Sequence, residues 1–488
     1  MAANQAWRHS KLEAAVTDEQ EVWVGTFWSP TEGVHSPAKL RRGKRFTLIP
    51  ESDIVSSLCR VTTHEDGVTT VRVFADPEKV VADFQPRILH GELSDGVRLT
   101  LLDAQLSDVG MGQSFDVHKL VWGEHLGPDP LFSSVRFEPP WSLRWSGLKG
   151  TAQCDGPNPT GQLTGYVEEE RRWVEFVSTV PMSLLALESV VWHSADAFMS
   201  IWCNAAVKPV RIQVRTNEQS EWLSIVTVGL MQQPESSALD SPLLPFADMS
   251  LAALAKWLVM AAGLSPIPFL VSPGTSDQIP LQAQVLSVAS ALEGLHRRIG
   301  LDQNYFKTLS KSQQAKVSGA AKQAALSELK ALDWKDLEGA RDRVEQSLGH
   351  LGQTTLAERL KALAGPAADV APGLLGPSLD AWAKEMKNTR NGEGHQLYAA
   401  PEFGADKFDP YYQLLTSGQW VARISLLLIM DVDAATLTAA LRSHEPFLFD
   451  LANMDTCTNG WAGSLETFRR FARGKNVEPP KDPKIVRH

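Results

Sequence analysis

The stretch QQPESSALDSPLLPFADMS, residues 232–250, is where the chain changes its grammar. Proline and serine cluster in it and no hydrophobic period runs through it, which is the composition of a linker. Upstream lie short runs such as EVWVGTFW (21–28), KRFTLI (44–49), TTVRVFA (69–75), GVRLTLLDA (96–104), RRWVEFVSTV (171–180), VRIQVRT (210–216) and WLSIVTVG (222–229). They are rich in β-branched and aromatic residues and are punctuated by Gly, Pro, Asp and Asn, the signature of strands. Ten of the fifteen tryptophans fall here, as expected if large flat side chains fill the space between packed sheets. Downstream the period changes: Leu281, Val285, Ala289, Leu292 and Ile299 form an apolar helical stripe, with Pro280 near its first turn. The expected fold is α+β and multidomain, an all-β sandwich or barrel-like region over residues 1–240 followed by an α-helical bundle over 241–488.

Composition narrows the function classes. At 488 residues the chain exceeds one ordinary core, and 43% hydrophobic with 21% charged residues is a globular composition. A formal net charge of −10 argues against a protein that coats nucleic acid nonspecifically, but leaves room for a local basic groove. Cys59, Cys154, Cys203 and Cys457 are widely separated, which fits free thiols in a reducing cytosol. The N-terminus has no signal-peptide pattern. MSLAALAKWLVMAAGLSPIPFLV (249–271) carries Lys256 and is broken by Gly263, Pro266 and Pro268, while ISLLLIM (424–430) is too short to span, so both read as buried helices and no membrane is implied. There is no phosphate loop, nucleophile elbow or zinc-binding His pair, and Gly110 and Gly112 lack the third glycine of a dinucleotide site. No metal or cofactor is implied. His118 and His125, flanking KLVWGE, read as strand or turn residues.

NTRNGEGHQ (388–396) carries the densest chemistry. Arg390 and His395 alone are a weak signal, since Arg343 and His350 repeat the pairing nearby. Context separates the two. Ser378 can cap a helix with apolar positions Leu379, Trp382, Ala383 and Met386, and four residues further on that stripe reaches Arg390. A guanidinium directed at packed surface needs an anion to meet it. Asn391 offers an orienting amide, and His395 an imidazole with an ordinary pKa of about 6.5, suited to proton transfer. Arg343 is followed by Val344 in a heavily charged segment and reads as a solvated helix face. Gly392 and Gly394 would each cost about 1 kcal/mol inside a helix, so the helix is expected to end or bend there.

RNGEGH (390–395) resembles the R-N-x-x-x-H signature of HEPN-domain ribonucleases, and ALEGLHRR (291–298) resembles the first-helix pattern of the same domains. In the β half, GTFWSP (25–30), ILHGELSDGVRLTLLDA (88–104) and HKLVWGEHL (118–126) resemble elements of the β-rich N-terminal domain of ApeA-type anti-phage proteins. The chain departs from that pattern at SPAKL (36–40), where the family tends to carry a glycine. The resemblance implies a C-terminal HEPN bundle and a metal-independent endoribonuclease of abortive anti-phage defence. It implies Arg390, Asn391 and His395 as catalytic residues, with Glu293 supporting the site, although Glu293 can also simply pair with Arg297 one helical turn away. Arg297, Arg298 and Lys307 are candidates to guide RNA phosphates, together with Lys311, Lys316 and Lys322, and Tyr411 and Tyr412 to stack on a base. The implied partners are RNA, with tRNA as an analogy, a second copy of the chain in a homodimer or higher homo-oligomer, and a phage-derived trigger. The competing reading is a non-catalytic HEPN dimer whose Trp-rich β domain binds a phage component or other ligand.

Overall fold

The computed structural model describes residues 21–456 except 44, 56–58, 64–68, 74–84, 109–112, 228–240, 275–278, 302–305, 350–351, 377 and 396–404. The first half of the linker, the Gly110–Gly112 pair, His350, Gln396, Cys457 and the C-terminal tail lie outside the described residues. Chain contacts define two compact units. One comprises Met1–Met199, Val207–Ser236 and Phe246–Val259, and the other Ser200–Ala206, Ser237–Pro245 and Met260–His488.

The first unit holds β1 (Val22–Trp28), β2 (His35–Arg42), β3 (Phe46–Pro50), β4 (Cys59–Thr63), β5 (Thr69–Val73), β6 (Arg87–Leu93), β7 (Arg98–Asp108), β8 (Ser114–Val117), β9 (Lys119–Trp122), β10 (Leu131–Glu138), β11 (Gly150–Asp155), β12 (Thr160–Glu168), β13 (Arg171–Ser183), β14 (Arg211–Arg215) and β15 (Leu223–Thr227). Apart from the β4–β5 ribbon they form one sheet in the order β11-β12-β13-β10-β14-β15-β9-β7-β6-β1-β2-β3-β8, and β8 pairs back onto β7. That return closes β7, β6, β1, β2, β3 and β8 into a barrel, from which the other strands run on as an open wing. Alternation decides what the barrel encloses: along β2, Ser36, Ala38 and Leu40 point inward while their neighbours face out. Phe27, Leu48, Leu89, Leu101 and Phe115 complete that core. The unit is not purely β. Ser183 Oγ accepts the Ala186 N–H at 3.3 Å and starts α1 (Leu184–Leu187), which passes through a π-helical turn (Glu188–Trp192) into α2 (His193–Cys203).

Three of the β-half motifs meet at one joint. A Cβ on Gly91 would lie 2.3 Å from the Phe27 ring, so only glycine lets β6 cross β1 there. The Trp28 ring packs edge-on against His125 at 4.9 Å and His90 at 5.8 Å, and those two imidazoles stack at 4.8 Å. His90 Nε2 lies 2.7 Å from the Leu126 carbonyl oxygen, and His125 Nε2 3.0 Å from that of Gly91.

The later helices are α3 (Leu251–Leu264), α4 (Ile267–Val271), α5 (Leu281–Arg298), α6 (Lys311–Ala331), α7 (Leu337–Gly349), α8 (Leu356–Val370), α9 (Leu379–His395), α10 (Ala405–Ile429), α11 (Ala434–Ser443) and α12 (Glu445–Thr456). Among the described residues no helix is long and apolar enough to cross a membrane. In the second unit α5, α8, α9 and α10 pack on one another, burying Val285, Leu292, Leu360, Leu363, Met386 and Val421. A Cβ on Gly418 of α10 would fall 2.7 Å from Val288 of α5 and 3.0 Å from Met386 of α9. The three helices therefore close on a point where a side chain would hold them apart.

Candidate active site

Ser378 Oγ accepts the Ala381 N–H at 3.1 Å and caps α9. Trp382, Ala383 and Met386 are buried, and Trp382 Nε1 donates to Ser417 Oγ of α10 at 2.9 Å, which fixes the rotation of the helix. Contrary to the expected end or bend at the glycines, α9 continues through Gly392 and Gly394 to His395. Nothing lies within 4 Å of a Cβ built on either glycine. The packed first turns hold the helix in register, and a cost of about 1 kcal/mol per glycine does not break it.

This rotation carries Arg390 to Glu293. Arg390 Nη2 lies 3.4 Å from Glu293 Oε2, and its Nη1 donates to Asn391 Oδ1 at 3.3 Å. Glu293 Oε1 accepts from Arg297 Nη2 at 2.7 Å, one turn along α5, and from Arg359 Nη1 at 3.1 Å, from α8. Glu293 therefore pairs with Arg297 and reaches Arg390 as well. One carboxylate is shared by three guanidiniums, which come from three helices. The cluster is graded in depth: the Arg359 side chain is 6% exposed, Glu293 16% and Arg390 37%. Arg297, at 53%, is the most accessible cation, and Arg390 is the accessible one that stands beside Asn391.

Helix geometry relates the remaining positions. At about 100° per residue, position 395 lies about 40° round the axis from position 391 and about 140° from position 390. Asn391 and His395 therefore share a side of α9, and Arg390 leaves it elsewhere. The His395 side chain lies outside the described part of the structure.

Other anticipated residues lie apart from this cluster. Arg298 donates through Nη1 to the Ser265 carbonyl oxygen. Lys307 is exposed in the turn ahead of α6. Tyr411 and Tyr412 are half-buried near the start of α10, where Tyr412 stacks on Phe408 at 6.3 Å. Arg343 is exposed on α7. The sequence reading missed Arg359. Its signal was a charge on the stripe Leu356, Leu360, Leu363, Ala364, Ala367, where an apolar residue is the rule. Among the described residues there is no group of three or more His, Cys, Asp or Glu side chains that could hold a metal ion.

The β unit has a cavity of about 640 Å³ lined by Ser29 and Pro30 of GTFWSP, Asp103 of TLLDA and Lys119 of HKLVWGE, with Leu131 and Leu185 at its apolar side. Lys119 Nζ lies 3.2 Å from Asp103 and 2.5 Å from Glu188. Burial pulls the Lys119 pKa down, but the hydrogen bonds and charges of Glu188 and Asp103 outweigh it and hold it above the ordinary lysine value. Asp103 has a φ of +55°, a left-handed backbone inside a strand.

Residues 286–436 match the family described as Apea-like HEPN. No curated protein and no solved structure matches the chain. The matched residues contain every member of the arginine–carboxylate cluster together with Asn391 and His395.

Proposed function

With an Apea-like HEPN domain at residues 286–436 behind a β-rich N-terminal region, we propose that the protein is an anti-phage endoribonuclease whose active site is built on Arg390, Asn391 and His395. The observation that carries this reading is the Glu293 carboxylate shared among Arg297, Arg359 and Arg390. It holds three guanidiniums at one place, with Arg390 still accessible to an anionic substrate.

RNA brings its own nucleophile, so the chemistry asks the protein only for proton transfer and charge stabilisation. The 2′-oxygen attacks the adjacent phosphorus and the P–O5′ bond breaks, giving a 2′,3′-cyclic phosphate and a 5′-hydroxyl. The imidazole of His395 takes the 2′-hydroxyl proton or delivers one to the departing O5′. Arg390 stabilises the added charge on the phosphorane-like transition state, and Asn391 positions the phosphate or His395. The angular divergence of positions 390 and 395 on one helix supports a cleft completed by a second copy of the chain. The test is direct. Purified wild-type protein should convert RNA to fragments ending in 2′,3′-cyclic phosphate, and Arg390→Ala and His395→Ala should lose at least about a hundredfold in rate. In infected cells the same variants should lose protection. Intact RNA with the wild type, or protection by both variants, sinks the reading.

The cavity at Asp103 and Lys119 supports a second role for the β unit, as a receptor for a phage component. Strain at Asp103 and convergence of three motifs on one cavity are features of a binding site. Lys119→Met should then abolish the response to phage while leaving cleavage by the purified protein intact.

A further inference from the structure

The helices α6 and α7 form an arm that the core does not need. None of the 21 residues of α6 is buried, and α6 packs principally on α7. Local chemistry holds it instead. Ser310 and Gln313 make a reciprocal capping box at its start, with Ser310 Oγ accepting the Gln313 N–H at 3.3 Å and Gln313 Oε1 accepting the Ser310 N–H at 2.8 Å. Alanine, lysine and glutamine dominate the helix between its ends. At its other end Asp333 adopts a left-handed φ of +52°, its N–H donates to the Lys330 carbonyl, and the Trp334 N–H reaches back to Leu329 at 3.0 Å. This turn presents the Trp334 ring at the tip, where the residue is 56% exposed.

Between the two helices runs a groove of about 570 Å³ lined by Lys322, Gln323, Ser327, Lys330, Leu337 and Arg341. Every charged side chain lining it is cationic. Glu345, just outside, holds Lys322 at 2.5 Å and also feels the charge of Arg341, whereas Lys330 has no ion-pair partner among the described residues. Along the chain the arm joins α5, which supplies Glu293 and Arg297, to α8, which supplies Arg359.

We infer that the α6–α7 hairpin is an RNA-holding arm, with Lys330 and Arg341 contacting backbone phosphates and Trp334 stacking on an unpaired base. The inference rests on the ribonuclease reading and adds the surface that retains the substrate away from the reacting bond. Two observations select RNA over a second copy of the chain. A symmetric contact through this groove would set the same cations against each other, which is unfavourable. An exposed tryptophan at the tip of an arm whose groove is lined by cations offers single-stranded nucleic acid both a base-stacking face and opposite charge.

The test uses the full chain, with binding measured in a His395→Ala background so that the RNA survives. In that background Lys330→Gln/Arg341→Gln should weaken binding of a fluorescent single-stranded RNA about tenfold at 0.1 M salt and lower the slope of log affinity against log salt by about 1.4. Trp334→Ala should weaken it by about tenfold with the slope unchanged. All three positions are exposed or line an open groove, so thermal unfolding should match the parent. Without the His395 change, the same variants should cleave a dinucleotide, which has no flanking phosphate or base to be held, at the wild-type rate. Wild-type affinity and slope in the charge-neutralised protein overturn the inference, as does a changed oligomeric state with unchanged RNA binding, which would assign the arm to a second copy. If the wild-type protein cleaves no RNA, the ribonuclease reading fails, and the affinity and slope data still decide whether the arm binds RNA.

Discussion

At the scale of single residues, Glu293 is the position on which the candidate site depends. Replacing it by glutamine removes the negative charge that three guanidiniums share, one of them 6% exposed. Glu293→Gln is expected to destabilise the protein by about 1–3 kcal/mol, a figure kept low because Arg297 is largely solvated. A melting temperature several degrees below wild type, with RNA cleavage reduced, is the expected result. His444 sets a different residue-scale behaviour. It is 3% exposed, and burial lowers its pKa to about 4. The folded state keeps this imidazole neutral, while the unfolded chain protonates it at its ordinary value of about 6.5. Between those values the unfolded state binds the extra proton, so stability falls as the pH drops from about 6.5 towards 4. At pH 5 the loss is about 2 kcal/mol, and urea titrations at pH 7 and pH 5 should show it in wild type but not in His444→Gln.

At the scale of elements, α9 and α10 make opposite uses of glycine. Gly392 and Gly394 lie in a helix with open space around them, so Gly392→Ala and Gly394→Ala should each stabilise the protein by about 0.5–1 kcal/mol. Cleavage should persist in both, and its loss in either would mean that substrate passes close to the backbone there. Gly418→Ala forces a methyl group against Val288 and Met386 and should cost about 1–3 kcal/mol by thermal unfolding. Much at this scale was legible in the sequence. The stripe on α5, the Ser378 cap and the apolar face of α9 follow from spacing alone, because they depend on near neighbours along one helix. The continuation of α9 through its glycines was not, since propensity is a small local term that packing elsewhere on the helix overrides.

For the whole molecule the charge distribution matters more than its total. The chain is acidic, at −10, yet it gathers three guanidiniums around Glu293 and has a groove on the α6–α7 arm whose charged lining is entirely cationic. RNA cleavage is therefore expected to fall steeply as salt rises from 50 to 200 mM, even though the protein as a whole repels polyanions. If two copies complete each cleft, specific activity should also fall on dilution in step with the dimer population seen by sedimentation. The sequence by itself determined the two grammars, the helix carrying R-N-x-x-x-H, and the motifs of the β half, since these rest on periodicity and on the chemistry of adjacent residues. Tertiary structure alone decided that β8 returns to β7, that GTFWSP, TLLDA and HKLVWGE line one cavity, and that Arg359 and Arg390 meet Glu293 from 66 and 97 residues away. The helical stripes mark Arg359 and Arg390 as charges on packed faces, but no local pattern joins them to a partner so far along the chain, and only the packing of α5, α8 and α9 brings them within reach of one carboxylate.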